Sequence, residues 1–497
     1  MRAGRLLVLV AASIAGSAAA EDRVWLVGGG PDAAGSQVSI ELNTRWIAGW
    51  LRDQGLGPEL RVRYNDGDAP GADVKLRTPG GNPGSSNPGH SGVELSGRAR
   101  DLAPLVHVFG APGTEGEAYR NHRVRGVEGP TEVEALTQAL EDDFRQLEAG
   151  DDLWFIYQGH GLMDPEDHSR NTIRLWGDTE LSVRRFEGLL DEVEPGVTTR
   201  FFFPQCYSGG FARLMYDDPA EPGALAGGRC GFLAQAPDRQ SEGCTPSIEA
   251  GEYRDYSTYF FAALTGERRT GEALGREPDR DGDGRVSLRE AHLHALATAD
   301  SADLSRATSE AFLEDWEPWW LRWVGTAGVP DNVYGNLAVE VAADRGLDPT
   351  DPMPAVHQGL DRTKREWERL RRELDTARER IRELQRTVRE RAEERWPALA
   401  SRYSTAALEQ LMHDPEPVLD WLRADPDYPA LVEAIHRQRR LEAEELAVQR
   451  ERAGYERVLR LRRLARLKAR FERFASEEER AAYRELVACE SWVPGEP

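Results

Sequence analysis

Asp152-Leu153-Trp154-Phe155-Ile156-Tyr157-Gln158-Gly159-His160-Gly161 is the stretch on which the fold turns. A continuous apolar run bounded by an aspartate and a glycine turn predicts a strand over 152–158 that is buried on both faces. A second apolar run, Arg200 to Pro204 with Phe201-Phe202-Phe203 at its centre, ends in Gln205-Cys206-Tyr207-Ser208-Gly209-Gly210. Working outward, Val24 to Val27 before the turn Gly28-Gly29-Gly30-Pro31, Leu60 to Tyr64, and Gly231 to Ala236 read as further strands. Helical spacing covers Ser39 to Leu51, Thr131 to Leu147 with Thr131 and Glu134 set as a capping box, Ser182 to Val193, and Tyr256 to Leu264. Buried strands alternating with amphipathic helices predict an α/β domain, a mainly parallel sheet with helices on both faces. Residues 65–97, dense in Gly, Pro, Ser and Asp, read as a surface loop. Leu105 to Phe109 reads as a strand or an ordered piece of that loop.

After about residue 345 the pattern changes. Trp367, Leu370, Leu374, Ala377, Ile381, Leu384 and Val388 fall at alternating steps of three and four, the spacing of a coiled-coil seam. A second long helix is expected over about 430–474 and a shorter one over 477–488, so this all-α coiled-coil extension is either an antiparallel hairpin or a small bundle. By spacing, a homo-oligomer formed through the coiled coil is a further expectation. The organisation is then 1–20, 21–345 and 346–497. Arg2 and Arg5, the apolar run Leu6 to Ile14 and Ala18-Ala19-Ala20 make residues 1–20 a signal peptide, which places the mature protein in the periplasm or outside the cell. No stretch is apolar for long enough to span a membrane. The 497 residues carry a formal net charge of −23, which argues against a nucleic-acid partner, since phosphates call for clustered cations. Four cysteines are present, Cys206, Cys230, Cys244 and Cys489. Cys230 and Cys244 flank a short segment that a bridge would close.

In an open α/β sheet the reactive crevice lies beyond the carboxyl ends of the strands. His160 between two glycines and Cys206 before Ser-Gly-Gly put a base and a thiol in that crevice. Alone, His160 reads as a turn histidine and Cys206 as a small buried apolar residue. Together they predict a thiol nucleophile with its acid/base, and the backbone N–H groups of Gly161 and Cys206 as the oxyanion hole.

These motifs resemble those of the legumain family of caspase-like cysteine peptidases, in which one apolar strand ends in His-Gly and the next in a Cys followed by Ser-Gly. Arg174 to Ser182 resembles the family's segment between the two catalytic strands, and Gly231 to Ser241 its next strand and substrate-binding edge. The resemblance covers about residues 24–270. It implies a caspase-like sheet and a thiol endopeptidase acting on a peptide or protein substrate, with Ser241 and Asp255 binding that substrate. A transpeptidase would use the same acyl-enzyme. Asp255 matches the acidic wall of the family's specificity pocket, but no arginine stands on the early loop, where Gly35 and Ser36 lie. An unpaired Asp255 favours a basic substrate side chain; alternatively Asp255 caps the helix that follows it. The family's zymogens carry a helical C-terminal part over the active site, so the extension is expected either to inhibit or to assemble.

A second motif is independent of the first. Asp279-Arg280-Asp281-Gly282-Asp283-Gly284-Arg285-Val286-Ser287-Leu288-Arg289-Glu290 satisfies the EF-hand calcium-loop pattern, with Asp279, Asp281, Asp283 and Glu290 as carboxylate ligands and Arg285 offering its carbonyl. A calcium-binding interaction protein or scaffold with an inactive peptidase fold is the competing reading of the whole chain.

Overall fold

The computed structural model describes residues 22–77, 102–111, 114, 117–243, 247–248, 250–320, 328–401 and 404–495. The expected signal peptide and Cys244 lie outside them. Strands β1 (Asp22–Gly28), β2 (Leu60–Tyr64), β3 (Val74–Arg77), β4 (Glu117–Arg120), β5 (Asp152–Gln158), β6 (His160–Leu162), β7 (Thr172–Leu175), β8 (Thr179–Ser182), β9 (Thr198–Phe203), β10 (Arg229–Leu233) and β11 (Arg306–Ala307) form three sheets. The central sheet has the order β11-β10-β9-β5-β1-β2. Its strands are parallel except β11, which runs antiparallel to β10. The fold is therefore α/β with a mainly parallel sheet, as the apolar runs predict.

Alternate residues of β1 show why those runs are apolar throughout. Trp25 and Val27 face the core under the helices Val133–Phe144 and Val183–Leu190, whereas Val24 and Leu26 face the one under the helices Val38–Asp53, Tyr256–Thr265 and Leu288–Thr298. Phe201, Phe202 and Phe203 in β9 divide in the same way and are fully buried. Each contributes roughly 2–3 kcal/mol of apolar burial.

Two local expectations are corrected. Leu105 to Phe109, expected as a strand or an ordered piece of loop, belong to a helix, Ala103–Phe109. Thr131 does not cap the next helix, whose N-cap is Glu132 without a side-chain bond. The Thr131 hydroxyl instead donates to the Asn65 carbonyl and accepts from the Trp176 N–H, while Glu134 pairs with Arg185.

The C-terminal part is an antiparallel hairpin of two long helices, Met353–Arg395 and Tyr428–Phe474, followed by the helix Glu477–Glu490. Leu370, Leu374, Ala377, Ile381, Leu384 and Val388 are buried within the chain, against residues that include Leu441, Leu431 and Ile435. The hairpin packs on the sheet body at one end and carries a helix of the preceding chain at the other. At its far end the helix Ala103–Phe109 docks on Ile381 and Val388, and Gln385 and Arg389 donate to the carbonyls of His107 and Val108. At its near end Val458, Leu461, Leu464 and Phe471 share a core with Leu293, Leu313, Tyr334 and Leu337.

The last helix returns to the sheet. Cys489 is disulfide-bonded to Cys230 in β10, across a sequence separation of 259. Cys230 therefore does not pair with Cys244. Arg200 in β9 donates to the Cys489 carbonyl, and Trp492 packs edge-on against Trp154. The bridge lies at the amino end of β10, opposite the end where β9 delivers Cys206. Closing so long a loop is worth about 5 kcal/mol in a chain-entropy treatment. Cys489→Ser is accordingly expected to lower the thermal midpoint by several degrees under oxidising conditions, with the reduced wild type melting beside it. Identical melting of the oxidised, reduced and Ser forms would show that the bridge contributes nothing.

Candidate functional site

β5 and β9 are neighbours in the sheet, so their carboxyl ends bring His160 and Cys206 to one edge. Gly159 makes the exit from β5 feasible, because a Cβ there would collide with the Tyr157 hydroxyl and stand 2.6 Å from the Gly29 carbonyl oxygen. Gly161 packs directly on the Cys206 carbonyl, where any side chain would clash. This contact shows that the two motifs meet.

The half-buried His160 ring is held from the side of β1. Its Nε2 lies 2.7 Å from the Gly35 carbonyl oxygen and 2.9 Å from Gln37 Oε1. Both are acceptors, so the proton sits on Nε2 and the Nδ1 lone pair is left to take another. The loop that supplies these acceptors is itself fixed. Asp32 Oδ1 accepts from the Gly35 N–H at 2.6 Å, and Asn65, buried in a left-handed conformation, binds Ser36. Burial pulls the His160 pKa below its ordinary value, the Gly35 hydrogen bond works against that, and the charge of Arg174 adds to it.

Cys206 follows β9 after Pro204 and Gln205 and precedes Tyr207, which adopts φ 61°. Its sulfur accepts the Ser241 N–H at 3.3 Å, with the Ser241 hydroxyl at 3.6 Å. Burial pushes the thiol pKa up, and the two Ser241 hydrogen bonds pull it down. Burial thus favours the neutral form of each group, thiol over thiolate and imidazole over imidazolium. Beside them the Gln205 side chain is buried, and neither of its amide atoms finds a partner among the described residues.

Gly209 and Gly210 serve packing here: a Cβ on either would stand 2.5–2.6 Å from backbone atoms of Pro237 or His168. Asn171 clamps the turn by donating to the carbonyls of Tyr207 and Pro237. The loop 237–243, which carries Ser241, is braced from the long helix Tyr428–Phe474. Arg450 makes a two-pronged bond to the buried carboxylate of Glu242, and Arg239 pairs with Glu456 at 2.7 Å.

Asp255 is buried and has both oxygens engaged, Oδ2 by Asn43 Nδ2 at 2.8 Å and Oδ1 by the Thr258 hydroxyl at 2.6 Å. Asn43 also accepts from Arg269, whose guanidinium lies over Trp46 and Tyr253. Asp255 is therefore not an unpaired acid. The arginine expected on the early loop is absent, but one reaches the same network from residue 269. This removes the ground for a basic substrate side chain.

In the loop 279–290 the carboxylates of Asp279, Asp281 and Asp283 lie within 4.8 Å of one another. They accept N–H groups of Gly282, Gly284, Asp283 and Arg285, which curls the loop around them. Glu290 is not part of that cluster. Its Oε2 caps the next helix through Ser287, and its Oε1 accepts from Arg280 and Asp281. Three of the four expected carboxylate ligands are thus brought together, a donor set of hard oxygens suited to a divalent cation.

No protein-family model and no curated protein matches the chain. Among solved structures, the crystal structure of protein GSU0716 from Geobacter sulfurreducens is similar over 58% of this chain and 93% of its own, at 11% identity and a TM-score of 0.31.

Sequence reading missed Gly35 and Gln37 as partners of His160, and Arg239 and Arg450 as braces of the Ser241 loop. A glycine carbonyl leaves no trace in a sequence. Ion pairs more than 200 residues apart have no spacing to read.

Proposed function

We propose that the chain is an exported cysteine endopeptidase, resembling the legumain-like members of the caspase-like enzymes. The observation that carries this reading is the single free thiol among the described residues, Cys206. It is held by the Ser241 N–H, and its carbonyl meets Gly161, the neighbour of a histidine whose Nε2 lies against two acceptors. The Cys206 proton passes to His160 Nδ1 as the sulfur attacks the substrate carbonyl carbon. The oxygen takes the negative charge and faces the N–H groups of Gly161 and Cys206. His160 then protonates the leaving amine as the C–N bond breaks. Water attacks the thioester carbonyl, giving its proton to His160, and the acid product and Cys206 thiol are released. With an amine in place of water the same acyl-enzyme performs transpeptidation.

Export is supported by the Cys230–Cys489 bridge, since disulfides persist in oxidising compartments. The test is labelling with a peptidyl acyloxymethyl ketone, mapping of the adduct by mass spectrometry and sequencing of the cleavage products of a peptide library. No adduct at Cys206 together with an uncut library would refute the assignment.

The electrostatics give this reading a pH signature. Burial disfavours the imidazolium of His160, so the neutral base persists below the ordinary histidine value of 6.5. The acid limb of kcat/KM against pH is expected below that value. A limb clearly above 6.5 would contradict the geometry.

The loop 279–290 is proposed to hold calcium through Asp279, Asp281 and Asp283 together with the Arg285 carbonyl. Calcium at about 100 times its Kd would then add roughly 2.7 kcal/mol to stability. The thermal midpoint is expected to rise with calcium in the wild type and to stay put in Asp279→Ala/Asp281→Ala. No rise in the wild type, or an equal one in the double variant, would dismiss the site.

A further inference from the structure

A cavity of about 730 Å³ opens beside the helices Tyr256–Thr265 and Leu288–Thr298, where the long helix Tyr428–Phe474 crosses the sheet body. Neither His160 nor Cys206 lines it. Six arginines do, and their charges are unevenly answered. Arg276 pairs with Glu340 and Asp344, and Arg268 with Glu272, while the lining Glu451 is taken by Arg362 from outside. Arg254 and Arg345 have no ion pair to a carboxylate among the described residues, and Arg269 reaches the Asp255 carboxylate only through Asn43.

The remaining contacts of these cations are unusual. Arg345 lies flat on Gly454, where any side chain would strike its guanidinium. Next to it the buried Arg457 donates to the backbone carbonyls of Ala299, Ser301 and Asp303 rather than to an acid. Burial first, and then the charge of Arg345, bring Arg457 down to about 10. Two guanidinium groups thus lie within electrostatic reach of one another, a repulsive arrangement in a low-dielectric wall. On the side of the sheet body, Arg269 keeps Nε and Nη1 without partners.

A neutral group completes the lining. His294 is 4% exposed and its Nδ1 has no hydrogen-bond partner. Burial, helped by Arg280 and Arg276, depresses its pKa to about 4, so it faces the cavity as a neutral imidazole able to donate one N–H.

We propose that this cavity binds a small polyanion carrying two or more carboxylate or phosphate groups, gripped by Arg457 from the helical extension and by Arg254, Arg269, His294 and Arg345 from the 21–345 part. Guanidinium forks suit both kinds of oxyanion. Because the groups come from both parts of the chain, the anion ties one to the other. The inference does not depend on the peptidase assignment.

The test is calorimetric titration of the full chain with sodium citrate and, separately, with sodium tripolyphosphate, at constant ionic strength of about 0.15 M. One saturable site per chain is expected for at least one of the two, and the tighter binder tells whether carboxylate or phosphate is preferred. Arg345→Gln and Arg254→Gln, on opposite walls, are each expected to weaken it at least tenfold. Arg386→Gln, an exposed change on the hairpin away from the cavity, should leave it within twofold. No saturable binding of either anion, or binding that both wall variants leave within twofold, would overturn the proposal. Using both walls keeps the test decisive if one variant fails to fold.

Discussion

Cys206→Ala is expected to lower peptide hydrolysis by at least about a thousandfold, the size of effect seen when a covalent nucleophile is removed. The melting midpoint should hardly move. Alanine deletes only the sulfur, whose hydrogen-bond contacts are all with Ser241, so the loss to the fold is that of weak sulfur hydrogen bonds. His160→Ala is expected to cost as much activity, for a different reason. It removes the acceptor of the thiol proton and the donor of the leaving-group proton, and it releases the two acceptors at Gly35 and Gln37. The measurement is steady-state hydrolysis of the best peptide from the library, beside circular dichroism and a thermal melt of each variant. Either variant within threefold of wild type, while folded, would sink the assignment of the pair.

Ending the chain at Pro352 is expected to unfold the protein, not to activate it. The resemblance to legumain-like zymogens implies a removable helical cover, and on that view the truncated chain would turn over faster. The packing argues the opposite. Removal takes away Cys489, the three carbonyl bonds of Arg457 and the ion pairs of Arg460 with Glu310 and Glu314. It also strips Val458, Leu461, Leu464, Leu467 and Phe471 from the core that covers Leu293, Leu296, Leu313 and Tyr334. At roughly 1.5–3 kcal/mol per side chain, that loss matches the whole stability of an ordinary domain, about 5–15 kcal/mol. The 21–352 chain should therefore be insoluble or lack a cooperative melt, as differential scanning calorimetry and gel filtration would show. A soluble monomer melting like the full chain would reverse this reading and restore the tail as a detachable inhibitor.

The parts of this molecule that were legible in its sequence share one property: their signal is local. β2 and β5 match the expected strands residue for residue: β5, buried on both faces, announces itself by an unbroken apolar run, and β2, at the sheet edge, by alternation. The two long helices and the seam of Leu370 to Val388 were legible through periodicity. The short strands β3, β4 and β6 to β8 were not, because they are half-exposed and exist through their ladders. The helix Ala103–Phe109 owes its place to the hairpin tip, and its apolar run alone is compatible with a strand. At the site, His160 and Cys206 stood out because each follows a strong strand, His160 between two glycines and Cys206 before Ser208-Gly209-Gly210. The groups that hold them, Gly35, Gln37 and the brace from Arg450 to Glu242, are tertiary. The same distinction explains the cysteines: a neighbour in sequence, Cys244, invites pairing, yet Cys230 meets a residue from the other end of the chain.

That meeting has a bearing on the order in which the molecule can assemble. The long hairpin can form from contacts along its own two helices, but β10 gains its covalent partner only from the helix Glu477–Glu490. Loop closure over such a distance is slow, because its entropic cost precedes any reward from the contact. The sheet body should therefore reach its native packing only after residues 477–490 have been made, and their docking rather than formation of the hairpin should limit the rate. An arrested chain lacking those residues would be prey to proteases.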